Sequence, residues 1–173
     1  MPKMKLPKGV DTPSVADFAG MGEITLLSKA QALENLLNHV EDLKGTPYEA
    51  AVEYLAEKAP WVLGHIKRIQ QVPNELSSIF GKFRTSKLAG KGSPIGDIEL
   101  NPSSIGKGFG SDPAETLGHE LTHAAQALMK GVPRFEDLYR AENSKLFGYQ
   151  RNPFEHGAAR VGKRVKAALR RPK

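Results

Sequence analysis

The 173-residue chain contains no cysteine. That absence excludes a disulfide framework, a thiolate zinc finger, an iron–sulfur cluster and a thiol nucleophile. Any transition-metal site must use His, Asp and Glu. Long apolar runs are missing too. None approaches the roughly 18 residues of a membrane-spanning helix, so no membrane span is expected. The basic start Met1-Pro2-Lys3-Met4-Lys5-Leu6-Pro7-Lys8 is not followed by an apolar stretch. A cleaved secretory leader is therefore not expected, and a cytoplasmic protein is. Aromatic residues make up only 7% of the chain, and no nucleic-acid-binding motif with interleaved aromatics is found. What is present is ordinary for a folded domain: 39% hydrophobic and 25% charged residues, in a length that can bury its own core. The net charge of +6 permits contact with nucleic acid, anionic membrane or acidic protein, and specifies none of them.

The pattern along the chain predicts helices, then a small sheet, then helices. Residues 1–22 hold three prolines, three glycines and no apolar period, and read as a flexible segment. Leu26, Ala30, Leu33, Leu37 and Val40 recur at three and four, predicting an amphipathic helix over 24–44. Thr46-Pro47-Tyr48-Glu49 reads as cap, N1 proline and capping-box Glu of a second helix, ending near Ala59. Trp61, His65 and Ile69 continue at i, i+4, i+8 and predict a third helix, stopped before Pro73. A short helical turn over 74–80 completes an N-terminal helical subdomain, 23–80. Residues 82–88 form an expected exposed strand, 89–94 a turn, and 95–101 a half-buried strand with Ile98 and Leu100 on one face. Asp112-Pro113-Ala114-Glu115 opens a helix closed by Gly131. Further helices are expected over 135–146 and from Asn152 onward. The fold class is α+β, mostly helical, with a small antiparallel sheet ahead of the long helix.

That long helix carries His119-Glu120-Leu121-Thr122-His123, the pattern H-E-x-x-H. Residues four apart share a helix face, so both imidazoles can converge on one ion. Glu120 lies beside the pair, placed to take a proton from a water that the ion acidifies to a pKa of about 7. At this composition, chance gives the pattern in about 1% of chains. A third protein ligand is required. The metzincin continuation H-x-x-G-x-x-H is absent, so the candidates are Glu136, Asp137, Glu142, Glu155 and His156. From local sequence Glu155 also fits a bland role, the N3 glutamate of a capping box behind Asn152. Gly118 leaves room beside His119.

The stretch 116–126, TLGHELTHAAQ, resembles the active helix of small gluzincin-type zinc metallopeptidases. The stretch 149–158, YQRNPFEHGA, resembles the Y-x-x-N-P-x-E-x-x-A segment of short bacterial and phage-borne members. The resemblance covers roughly 95–160. It implies a zincin-like catalytic core, 81–173, that hydrolyses peptide bonds in a peptide or protein substrate. It also implies zinc on His119, His123 and Glu155, with Glu120 as general base. Ala158 would let its helix pack close to the active helix, and residues 97–101 would be the edge strand lining the cleft. Glu142 is the alternative third ligand. Tyr149 and His156 are candidate oxyanion stabilisers, with Tyr139 behind them. A phage-borne origin would place the protein in a virion or host cytoplasm. The rival readings are a metal-binding or interaction protein with little turnover, and a basic nucleic-acid-associated protein.

Three other features of the chain bear on function. Gly106-Lys107-Gly108-Phe109-Gly110 lacks P-loop spacing and reads as a loop beside the active helix, a candidate lid. Residues 160–173 hold seven Lys or Arg and no acid, a basic amphipathic helix that fits a solvated face or an acidic or nucleic-acid partner. His39 and His65 lie far upstream and read as structural.

Overall fold

The computed structural model of the protein describes residues 27–86 and 93–170. The expected flexible segment 1–22, most of the 89–94 turn and the last three residues lie outside them. The chain runs α1 (Lys29–Asp42), α2 (Glu49–Lys58), α3 (Pro60–Gly64), β1 (Ile66–Gln71), β2 (Gly81–Thr85), β3 (Gly96–Leu100), a 3-10 turn (Pro102–Ser104), α4 (Pro113–Lys130), α5 (Val132–Asn143), α6 (Gly148–Arg151) and α7 (Pro153–Arg170). It is a mostly helical α+β single domain. Among the described residues no helix is long and apolar enough to cross a membrane.

The sheet is mixed, not antiparallel. β3 lies in the centre, parallel to β1 and antiparallel to β2. The extra strand is β1, where a helix through Ile69 was expected. The reason lies in His65. Its Nδ1–H donates to the Trp61 carbonyl at 2.6 Å, the acceptor that a continuing helix would give to the residue-65 amide. That amide turns to Val62 instead, and the His65 carbonyl accepts from Ile95 at the foot of β3. Residues 74–80 form no helix. Asn101 ties them down by accepting from the Asn74 amide and donating to the Asn74 and Ile79 carbonyls.

α1, capped by Ser28, begins later than expected and does not bury the expected stripe. Leu33 and Leu37 are more than half exposed, while Ala32, Asn35 and His39 face inward. The inward face is polar because it meets carbonyls. Asn35 donates to the Gly64 carbonyl and His39 Nε2–H to the Ile66 carbonyl. α2 also starts late, at Glu49, and the Thr46 hydroxyl works in the preceding turn instead of capping the helix.

Apolar residues from Leu43 through Ile69 and from Ile95 through Val165 form one buried cluster. The expected subdomain boundary at residue 80 falls between β1 and β2 of one sheet. At the centre α4 packs against α7 through glycines. A Cβ on Gly118 would lie 2.9 Å from Val165 Cγ2, and one on Gly162 would lie 2.5 Å from the Glu115 carbonyl oxygen. The room at Gly118 therefore serves helix packing, not the site beside His119.

Candidate metal centre

α4 starts as its sequence requires. Asp112 accepts from the Ala114 and Glu115 amides at 3.0 and 3.2 Å, and Pro113 takes the first helical turn. One turn apart on one face, the His119 and His123 rings stand edge to face with centroids 4.9 Å apart. Glu155 enters between them from α7. Its Oε2 lies 3.0 Å from His119 Nε2, and its Oε1 lies 2.8 Å from His123 Nε2. One ligand atom from each residue falls within 4.8 Å of the others.

Asn152 caps α7 by accepting from the Phe154 amide at 2.9 Å, but the capping box is not closed: the Asn152 amide donates to the Tyr149 carbonyl, and the Glu155 carboxylate turns to the histidines. The other candidate ligands lie elsewhere. Glu142 pairs with Lys145 at 2.8 Å, Asp137 is exposed, and Glu136 accepts from the Thr85 hydroxyl.

The donor set fits a divalent metal ion. The Gln126 side-chain nitrogen donates to the Phe154 carbonyl, so its oxygen faces His123 and accepts from Nδ1–H at 3.0 Å. That orients the ring and leaves Nε2 toward Glu155, the arrangement by which partners behind metal ligands fix a tautomer. Tyr139 donates to Glu155 Oε1 at 2.6 Å and fixes the carboxylate. Burial opposes a charged Glu155. Hydrogen bonds from His119, His123 and Tyr139 outweigh it and hold the carboxyl well below the usual range. Burial likewise opposes a charged His123, but Glu155 and Glu120 outweigh it and raise its pKa. Two imidazoles and a carboxylate can hold an ion there.

Glu120 is buried beside the pair, and burial pushes its carboxyl up against the pull of the two histidines. It reaches a cleft of about 1050 Å³ shared with His119, His123, Glu155, Tyr139, Tyr149 and the whole of β2. Tyr149 stands at the rim, 62% exposed, its phenol pushed up to about 12 by its surroundings and the nearby Glu155. His156 is not in this group. Its side chain is exposed, with Nε2 turned to the Gln150 carbonyl, because the residue after Glu155 falls on another side of α7. The strand that lines the cleft is β2, not residues 97–101, since β3 is central and carries partners on both edges. Gln126 was not singled out from the sequence, and its placement three residues after His123 on a helix is the signal that could have found it.

Compared with protein-family models, with curated proteins and with solved structures, the chain finds no match.

Proposed function

We propose that the protein is a zinc-dependent peptidase of the gluzincin kind that its two motifs resemble. One observation carries the reading. His119, His123 and Glu155 bring their donors within 4.8 Å of one another, with Glu120 buried beside them at a large cleft. Zinc suits the set, since imidazole and carboxylate without thiolate match its three-ligand catalytic sites. When bound, the ion supplies Lewis acidity that polarises a carbonyl and acidifies water.

The remaining work belongs to this chain. Glu120 accepts the proton of the attacking water and passes it to the amine nitrogen as the C–N bond breaks. Tyr149, at the rim of the same cleft, donates a hydrogen bond to the developing oxyanion. β2 ends the sheet among the described residues, so its outer main-chain groups can hold an extended peptide. Tyr139 and Gln126 hold Glu155 and His123 still.

The experiment is metal content by mass spectrometry after dialysis, paired with hydrolysis of a mixed peptide library. Wild type is expected to hold about one zinc per chain, as three converging donors require. Glu120→Gln is expected to keep the metal and lose about 10²–10⁴-fold in rate. A folded sample that retains less than about a tenth of an equivalent after excess zinc overturns the metal site. Retained metal with no hydrolysis by wild type overturns the peptidase reading and leaves a metal-binding protein on a peptidase-like fold.

A further inference from the structure

A second chamber of about 430 Å³ meets the main cleft at Ile79, Gly81, His119, Glu120 and Tyr149. Resting on the peptidase reading, we propose that this chamber is a substrate subsite. It takes a large apolar side chain followed within about three residues by a carboxylate. Phe109 covers the former and Lys163 pairs with the latter.

The apolar half rests on Ile79, Phe80 and Phe109, which line the chamber. Phe109 is wholly exposed and Ile79 is 54% exposed. The loop that carries Phe109 turns through left-handed glycines, Gly106 and Gly110, at φ of 80 and 85°. It rests on the Phe80 ring, 3.5 Å from the place a Cβ on Gly108 would occupy. A phenylalanine left fully in water on a glycine loop, beside the Ile79 and Phe80 wall of the chamber, gains by closing on an apolar guest. The same loop reads from sequence as a candidate lid. In the structure it adjoins this second chamber, where Phe109 and Gly110 are part of the lining.

The charged half rests on what is already neutralised. Glu115 lines the chamber but is paired with Lys166 at 3.6 Å, and nearby Asp112 is paired with Arg170 at 3.7 Å. Lys163 also lines the chamber and has no acidic partner among the described residues. Glu120 lines the chamber as well, but its carboxyl is held by the pull of His123 and His119, so Lys163 is the cation of the lining left to complement an anion. The position fits a peptide. Glu155, Ala159 and Lys163 follow one another at single turns on one face of α7, so Lys163 lies about 12 Å along the helix from the ligand carboxylate. An extended peptide covers that in about three to four residues, and the lysine stem shortens it by about one. The carboxylate is the shared chemistry of a chain terminus and of an Asp or Glu side chain.

The test is equilibrium binding by ligand-observed NMR, on zinc-loaded Glu120→Gln and on metal-stripped wild type. The probes are acetyl-Phe-Gly-Gly as the free acid, its amide, acetyl-Phe-Gly-Glu-amide and acetyl-Ala-Gly-Gly acid. The acid is expected to bind more tightly than the amide by about three- to fivefold, the range of an exposed ion pair. The preference is expected in both protein states, to survive Lys163→Arg and to vanish in Lys163→Gln. Phe109→Ala is expected to weaken the Phe peptides and leave the Ala peptide unchanged. If the Glu-amide probe binds like the acid, either carboxylate serves; if it binds like the amide, the subsite reads a chain terminus. Equal binding of acid and amide overturns the proposal, as does a preference that persists in Lys163→Gln or that disappears with the metal. A wild type that hydrolyses nothing yet shows the Lys163-dependent preference discards the peptidase reading alone. Hydrolysis without that preference discards the subsite alone.

Discussion

Two pairs of inward-facing histidines occupy this fold, and their partners give them opposite tasks. His39 and His65, in the N-terminal half, meet main-chain groups. His39 Nε2–H donates to the Ile66 carbonyl. His65 donates to the Trp61 carbonyl and accepts from the Leu27 amide. Each arrangement suits a neutral ring, and burial lowers both pKa values despite those bonds. His119 and His123 meet a carboxylate, and the same burial on His123 is overcome so that its pKa rises. The residue type is shared. What differs is whether the ring completes a broken main-chain hydrogen-bond network or points a free nitrogen at a shared acid. A histidine four residues from another is therefore a metal candidate only when a third donor closes the triangle.

The strongest way to break that comparison is to remove the third donor. Glu155→Ala deletes one of the three candidate ligands and leaves Tyr139 without its acceptor. Zinc affinity is expected to fall by more than about 100-fold, beyond the loss typical of groups behind the ligands. His39→Gln is expected to leave affinity unchanged. A zinc titration against a competing chelator reads both. Unchanged affinity in Glu155→Ala removes the distinction between the two pairs.

A smaller effect sharpens why Glu155 arrives where it does. Its helix is held against α4 by Gly118 and Gly162. Gly118→Ala places a methyl 2.9 Å from Val165 Cγ2, and Gly162→Ala places one 2.5 Å from the Glu115 carbonyl oxygen. Overpacking of this kind costs about 1–3 kcal/mol. It also displaces α7, so metal affinity is expected to fall with urea stability. Gly118→Ala with Val165→Ala is expected to recover part of both, because the tightest contact is with a side chain while the Gly162 Cα stays at 3.2 Å. Trimming Val165 is expected to leave Gly162→Ala unrelieved, because main chain causes the second. Equal rescue of both variants by Val165→Ala would show that α7 does not take its position from these two contacts.

These elements differ in how far local sequence could reveal them. α4 was legible from end to end because its cap, its apolar face and its paired histidines all speak at helical spacing. Glu155 was not, since N3 of a capping box and a donor on a neighbouring helix look alike until the Asn152 amide is seen to turn to the Tyr149 carbonyl and the carboxylate to the histidines. β1 was missed because Trp61, His65 and Ile69 fit a helix. The ring of His65 breaks that helix by taking its carbonyl, an event invisible to periodicity. The inward face of α1 was misread for a related reason. Its buried side chains satisfy carbonyls at the α3–β1 junction, so a polar face lies inside and Leu33 and Leu37 outside. The edge strand of the cleft was misplaced because pairing across a sheet, unlike amphipathicity along a strand, is not written locally.

The smallest expected effect is a difference in the sign of pH dependence. In the unfolded chain His39, His65 and His123 titrate near 6.5. His39 and His65 have lower values in the fold. Between the folded value and 6.5 the unfolded chain binds protons that the fold refuses, so these residues lend stability above 6.5 that is lost as pH falls below it. His123, raised in the metal-free fold, has the other sign: it lends stability below 6.5 that is lost as pH rises through its folded value. Each group contributes a slope of at most about 1.4 kcal/mol per pH unit. Urea melts of the metal-free protein between pH 5 and 8 separate them, above the range where Glu155 takes up its proton. His39→Gln, which keeps a donor for the Ile66 carbonyl, is expected to flatten the loss below 6.5. His123→Gln is expected to flatten the loss on the alkaline side. Added zinc is expected to abolish the alkaline-side loss, because the ion replaces the proton on His123. The same slope change in both variants would mean that the two pairs are not held by opposite partners.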